Sequence, residues 1–136
     1  MDIISTNKQS AVNFLNLIIV GKIKEAYQKH VDPNGKHHNV FFPAGFQALK
    51  EAMQEAHIQS PNKQFTIKHV LGDDDLVAVH SHLVMNQGEK GMITIHLFRF
   101  KNDKIVEMWD CGQVIPENSP NEDGTFWIKV ELAIYR

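Results

Sequence analysis

The chain has 136 residues, 43% of them hydrophobic and 22% charged, with a formal net charge of −2. That length makes one domain, 1–136, able to bury a substantial core, and its scattered Lys and Arg form no basic stripe for nucleic acid. The single cysteine, Cys111, excludes an intrachain disulfide and a cysteine metal cage, and it points to a reducing, cytoplasmic setting.

The apolar run Leu17-Ile18-Ile19-Val20 lacks the basic start of a signal peptide and is too short to span a bilayer, so no membrane role is expected. It fits a buried helix face instead. Ala11, Phe14, Leu15 and Ile18 recur at helical spacing over about 6–20, with Thr6 as N-cap and Gly21 as stop. A second helix follows over about 22–31 and ends at the turn-forming Asp32-Pro33-Asn34-Gly35. After an irregular stretch from His37 to Phe42, the stripe Phe46, Leu49, Met53 and Ala56 predicts a third helix over about 46–58.

From Gln64 the period changes to two. Strands are predicted over Phe65–Leu71 and Leu76–Met85, with turns at Gly72-Asp73-Asp74 and Asn86–Glu89. Two longer strands fill residues 91–113, joined at Lys101-Asn102-Asp103. Three helices followed by a four-stranded antiparallel meander give an α+β order. The stretch 126–136 returns to alternating residues and reads as an atypical C-terminal extension: an added edge strand, a dimer contact or a frayed end.

Alternation puts Thr94, His96 and Phe98 on one face of the first long strand, and Val106, Met108, Asp110 and Gly112 on one face of the second. A hairpin loop with an odd number of residues brings these two faces to the same side. A three-residue loop with Asp103 left-handed does so; Thr94 then lies opposite Asp110, with His96 diagonal to it. A carboxylate on an apolar face is desolvated and becomes a better base, and a histidine beside it can orient it or hold a carbonyl. The same spacing also fits a buried pair that only satisfies itself.

The pattern His-x-Phe-Arg-Phe-x-x-x-Lys-Ile-Val-Glu-x-Trp-Asp, from His96 to Asp110, resembles the SnoaL-like polyketide cyclases of the nuclear transport factor two-like superfamily. His37-His38-Asn39, the stretch Gly72–His80 and Gln113-x-x-Pro116 extend the likeness to roughly 8–126. The resemblance implies a cone, a strongly bent antiparallel sheet packed on three N-terminal helices. It implies Asp110 as acid/base and His96 as a site residue, with Asn39 and His38 lining a pocket. Thr94 stands where characterised cyclases commonly carry glutamine, and Met108 where many members carry histidine before the tryptophan.

Three functional readings follow. The first is a cofactor-independent aldol cyclase, isomerase or hydratase acting on a small hydrophobic carbonyl compound, with Asp110 and His96 catalytic. His38, Asn39, His80, His82, Thr94, Met108 and Phe98 would then bind substrate, and no metal or other cofactor is needed. The second is a ligand-binding module without chemistry. The third is a metal site built from His80 and His82 with His96. A homodimer is also expected, because the alternate face carrying Ile93, Ile95, Leu97, Ile105 and Trp109 is too apolar to stay wet.

Overall fold

A computed structural model describes residues 2–126. Helices α1 (Ile3–Ile19) and α2 (Ile23–His30) lead into strand β1 (Val31–His37), and α3 (Phe46–Gln59) precedes strands β2 (Gln64–Asp73), β3 (Leu76–Val84), β4 (Met92–Lys101) and β5 (Lys104–Val114). The five strands form one sheet in the order β1-β5-β4-β3-β2. All neighbouring strands pair antiparallel except β1 with β5, which are parallel. The expected α+β class holds, with one strand more than the meander predicts. Among the described residues, no helix is long and apolar enough to cross a membrane.

The first helix starts earlier than its apolar stripe suggests. Asp2 caps it by accepting from the Ser5 amide at 2.8 Å, and Thr6 lies within the first turns. It stops at Gly21, as expected. Gly21 has a φ of 88°, and any Cβ there would run into the His57 ring.

Strand β1 is the element that the turn-rich Asp32-Pro33-Asn34-Gly35 concealed. It meets β5 only near its ends, pairing Val31 with Ile105 and then Lys36 with Glu107 and His37 with Met108. The irregular stretch between absorbs the proline and the turn residues. This places His37 at the end of a strand rather than in a loop.

The helices cover one face of the sheet, and the core lies between. Phe14 packs edge-on against Tyr27 and Phe98, with ring centroids at 5.5 and 5.8 Å. Val77, Val79, Phe98, Phe100, Ile105 and Met108 complete the buried layer from the sheet side. Burying such side chains contributes about 1.5–3 kcal/mol each.

The β4–β5 hairpin departs from expectation in two ways that cancel. Its turn has two residues, Asn102 and Asp103, both with positive φ (50° and 64°), and Lys101 pairs with Lys104. A two-residue turn alone would send Asp110 to the face opposite His96. However, Phe100 pairs with Ile105 while Arg99 pairs with Glu107, so Val106 is a one-residue bulge. Beyond it the register recovers: His96 lies directly opposite Asp110, and Thr94 opposite Gly112 rather than Asp110. Before the bulge the parity is reversed. Ile105 therefore faces the core, fully buried, and does not belong to the outer apolar face assigned to it.

Candidate active site

Above the aromatic layer, the inner face of the sheet turns polar. Cross-strand rows run Ser81, Thr94 and Gly112, then Val79, His96 and Asp110, then Val77, Phe98 and Met108. The helices fill the space over the last row. Over the first two rows lies a cavity of about 260 Å³, lined among others by Asn39, Phe41, Leu83, Met92, Thr94, His96 and Asp110.

Asp110 is held by one partner. The side-chain amide of Asn39 donates to both carboxylate oxygens, at 3.1 and 3.0 Å. Asn39 is itself pinned by its loop. Its backbone N–H donates to Nδ1 of His37 at 3.1 Å, and its side-chain oxygen accepts from the Phe41 amide at 2.9 Å. The other nitrogen of His37, Nε2, donates to the Pro43 carbonyl at 2.8 Å. Held at both ring nitrogens, His37 is a strut that fixes the Asn39 loop.

The imidazole of His96 lies nearly parallel to Phe98 at 6.0 Å, with Phe65 edge-on at 6.4 Å. Burial pushes its pKa down, partly opposed by the negative charge of Asp110. It is therefore a neutral imidazole at neutral pH. Among the described residues, Nδ1 of His96 is buried without a hydrogen-bond partner, and no hydrogen bond joins this ring to Asp110. The two side chains face each other without satisfying each other.

Two further groups, Ser81 and Tyr27, belong to this region without a motif to announce them. Ser81 is fully buried and Thr94 nearly so, and neither hydroxyl has a partner among the described residues. Tyr27 is also buried, donating to Sδ of Met53 at 3.2 Å. Burial, and secondarily the charge of Asp110, hold its phenol well above the ordinary tyrosine range. Ser81 was findable from alternation, since it shares a face with Val77 and Val79. No such signal existed for Tyr27 beside Asp110, because the two are brought together by tertiary packing.

The remaining expected site residues lie elsewhere. Phe98 and Met108 are core residues beneath the cavity and do not line it. His38 sits on the outer side, stacked on Trp109 at 5.1 Å and bonded through Nε2 to Glu107 at 2.7 Å. His80 and His82 also face outward, in register with Ile95 and Ile93. His80 stacks on His69 at 5.2 Å, and His82 bonds the Lys90 carbonyl at 2.8 Å. Phe126 rests against both, with ring centroids at 5.4 and 5.1 Å. The sheet thus stands between His80 or His82 and His96, which removes the metal reading. Among the described residues, no group of three or more His, Cys, Asp or Glu side chains could hold a metal ion. Of the extension at 126–136, all but Phe126 lies outside the described residues.

Sheet and helices together define an α+β fold with a polar-floored cavity on the inner face of the sheet. The chain belongs to the SnoaL-like domain family, whose model matches residues 14–108. A comparison with curated proteins gives no match. Among solved structures it is similar to Bal32a from a soil-derived mobile gene cassette (16% identity, TM-score 0.69, 82% of this chain and 92% of that one). It is also similar to a candidate polyketide cyclase from Acidithiobacillus ferrooxidans (18%, 0.65, 82% and 91%). An NTF2-like protein of unknown function from Cytophaga hutchinsonii aligns as well (10%, 0.64, 79% and 89%). At such identities the likeness establishes the shared fold.

Proposed function

We propose that the protein is a cofactor-independent acid/base enzyme acting on a small hydrophobic carbonyl compound. The observation that carries this reading is the juxtaposition of Asp110 and His96. They lie directly opposite each other at the floor of the cavity, with no hydrogen bond between them. A purely structural pair would satisfy itself, since buried polar groups without partners are costly.

In the reaction, Asp110 takes a proton from the carbon next to the substrate carbonyl. The C–H electron pair becomes the new carbon–carbon double bond, and the carbonyl π pair moves onto oxygen. The neutral His96 donates an N–H to that developing oxyanion. The side-chain nitrogen of Asn39 is engaged by both oxygens of Asp110, so it aims the carboxylate. His38, on the outer face, takes no part. Aldol cyclisation, isomerisation and hydration differ in what the enolate or its protonated form meets next.

The test is exchange of α-protons of methyl butyl ketone in heavy water, followed by NMR. Asp110→Asn preserves shape and the bond from Asn39, and it should slow exchange by about 10²–10⁴-fold. Undiminished exchange in that variant sinks the acid/base reading. Binding without turnover is a second reading, favoured by the hold of Asn39 on both carboxylate oxygens, which already occupies the group. It predicts ketone binding with no exchange above the buffer rate.

The reading extends to assembly and location. A homodimer through the outer face is part of the proposal, with Ile93, Ile95, Leu97 and Trp109 as its apolar centre. Ile95 is 42% exposed there. Ile95→Lys should convert a dimer to a monomer in sedimentation, and a wild-type monomer would end the idea. A cytoplasmic setting suits the exposed free thiol of Cys111.

A further inference from the structure

The Asp110 cavity is small for a ligand site. Its volume of about 260 Å³ lies below the roughly 300 Å³ at which small-molecule pockets usually begin. A second hollow of about 410 Å³ adjoins it at the end of the sheet. The two share Leu83 and Met92, which pair across β3 and β4 and both line each hollow. Beyond this wall the second hollow is lined by apolar Met85 and Ile115 and by charged Glu89 and Lys90.

Met92 is suited to part this wall. A Cβ on Gly112, its diagonal neighbour on β5, would lie 2.5 Å from the Met92 methyl carbon. The methyl occupies the place where any other residue would carry a side chain. The unbranched thioether turns about three bonds. Leu83 on the other side is a simple aliphatic wall.

We infer that Met92 is a gate between the two hollows, and that the site takes an elongated carbonyl compound. Its carbonyl head lies at Asp110 and His96, and its alkyl tail passes Met92 into the second hollow. This rests on the acid/base reading for the position of the head alone. A short ketone fills the inner cavity and leaves the gate closed. Each further methylene displaces water from the outer hollow against Met85 and Ile115, which strengthens binding by about fourfold.

The experiment titrates the full chain with methyl ethyl, methyl butyl and methyl hexyl ketone, following the methionine methyl signals by NMR. In the wild type, affinity should climb along the series by about fourfold per methylene. Met92→Trp plugs the passage, so the climb along the series should flatten. Ile115→Asp leaves the inner cavity untouched and should weaken only the longer ketones, which guards against a Met92→Trp chain that fails to fold. A wild type that binds all three alike, or binds none, overturns the gate. So does an unaltered length dependence in both variants. Asp110→Asn separates the two ideas. Lost exchange with the length dependence retained supports both, whereas wild-type exchange removes the chemistry and leaves the gate to be judged on the length series.

Discussion

Two faces of one sheet carry histidines, and they have little else in common. On the inner face His96 lies between Phe65 and Phe98 with one nitrogen unpartnered. On the outer face His69 and His80 stack as a pair whose Nδ1 atoms are 2.9 Å apart, and His82 bonds a backbone carbonyl. The outer rings satisfy their hydrogen bonds locally, with Phe126 laid across two of them. The inner ring is half-buried and faces a carboxylate instead. What separates a candidate reactive group from surface decoration is the parity of the strand and the helices that cover one side of it.

Parity in turn depends on one residue. Inserting one alanine between Val106 and Glu107 should be the most damaging change that leaves every functional residue in place. With the turn and the one-residue bulge kept, Asp110 and Met108 rotate to the outer face and Trp109 and Glu107 to the inner one. A tryptophan and a glutamate would enter space now filled by a buried methionine, and the fold should be lost. Circular dichroism with thermal melting checks this. A cooperative native-like melt would mean that the turn can reset the register without help.

A smaller effect separates the two kinds of histidine. His96→Phe keeps a flat ring between Phe65 and Phe98 and removes the oxyanion donor, so α-proton exchange should fall by about 10²-fold. The double change His80→Phe and His82→Phe should leave exchange within about twofold, because neither ring reaches the cavity. Equal losses from both would erase the distinction between the faces.

Stability against pH sharpens the same contrast. Burial holds the pKa of folded His96 below its ordinary value of 6.5. As pH falls through 6.5, the unfolded chain takes up this proton and the folded chain does not. Stability is therefore complete above that value and declines below it, until the folded ring is itself protonated. One such group contributes at most about 1.4 kcal/mol per pH unit. His30, whose pKa is also depressed by burial, adds a share of its own. The measure is thus the difference between the wild type and His96→Phe, in urea unfolding between neutral and mildly acidic pH. A variant that loses stability as steeply as the wild type would contradict a buried neutral His96.

Much of this contrast could be read in the sequence, though not always for the right reason. Alternation placed His96 and Asp110 together. The supposed three-residue loop was in fact a two-residue turn corrected by a bulge, and nothing in Lys104-Ile105-Val106-Glu107 marks Val106 as the extra residue. Ile105 was consequently assigned to the wrong face. The outward direction of His80 and His82 was implicit in the burial of Val77 and Val79, but a His-x-His pair draws attention to itself and away from Ser81. Strand β1 escaped notice because Asp32-Pro33-Asn34-Gly35 has the chemistry of a turn; its pairing with β5 is made at the two ends, around that segment. The outward position of His38 depended on that pairing. The pairing of Asn39 with Asp110 spans 71 positions and follows only from the way β1 runs beside β5.

The smallest expected effect concerns a pair of threonines. Thr94 is buried on the inner face with its hydroxyl unpartnered, whereas Thr66 on the outer face is exposed. Valine has nearly the shape of threonine and needs no hydrogen bond. At Thr94 the exchange removes a desolvated hydroxyl whose burial nothing offsets, so Thr94→Val should stabilise the protein by about 1 kcal/mol. At Thr66 the hydroxyl already bonds to water, and Thr66→Val should stay within about 0.5 kcal/mol of the wild type. Natural chains seldom keep a removable cost in the core unless the group meets something there, and the cavity beside Thr94 is where a ligand would supply the missing partner. Urea unfolding of the two variants decides the point. Should Thr94→Val prove the less stable of the pair, its hydroxyl already has a partner, and the inner face is less open to ligand than its geometry indicates.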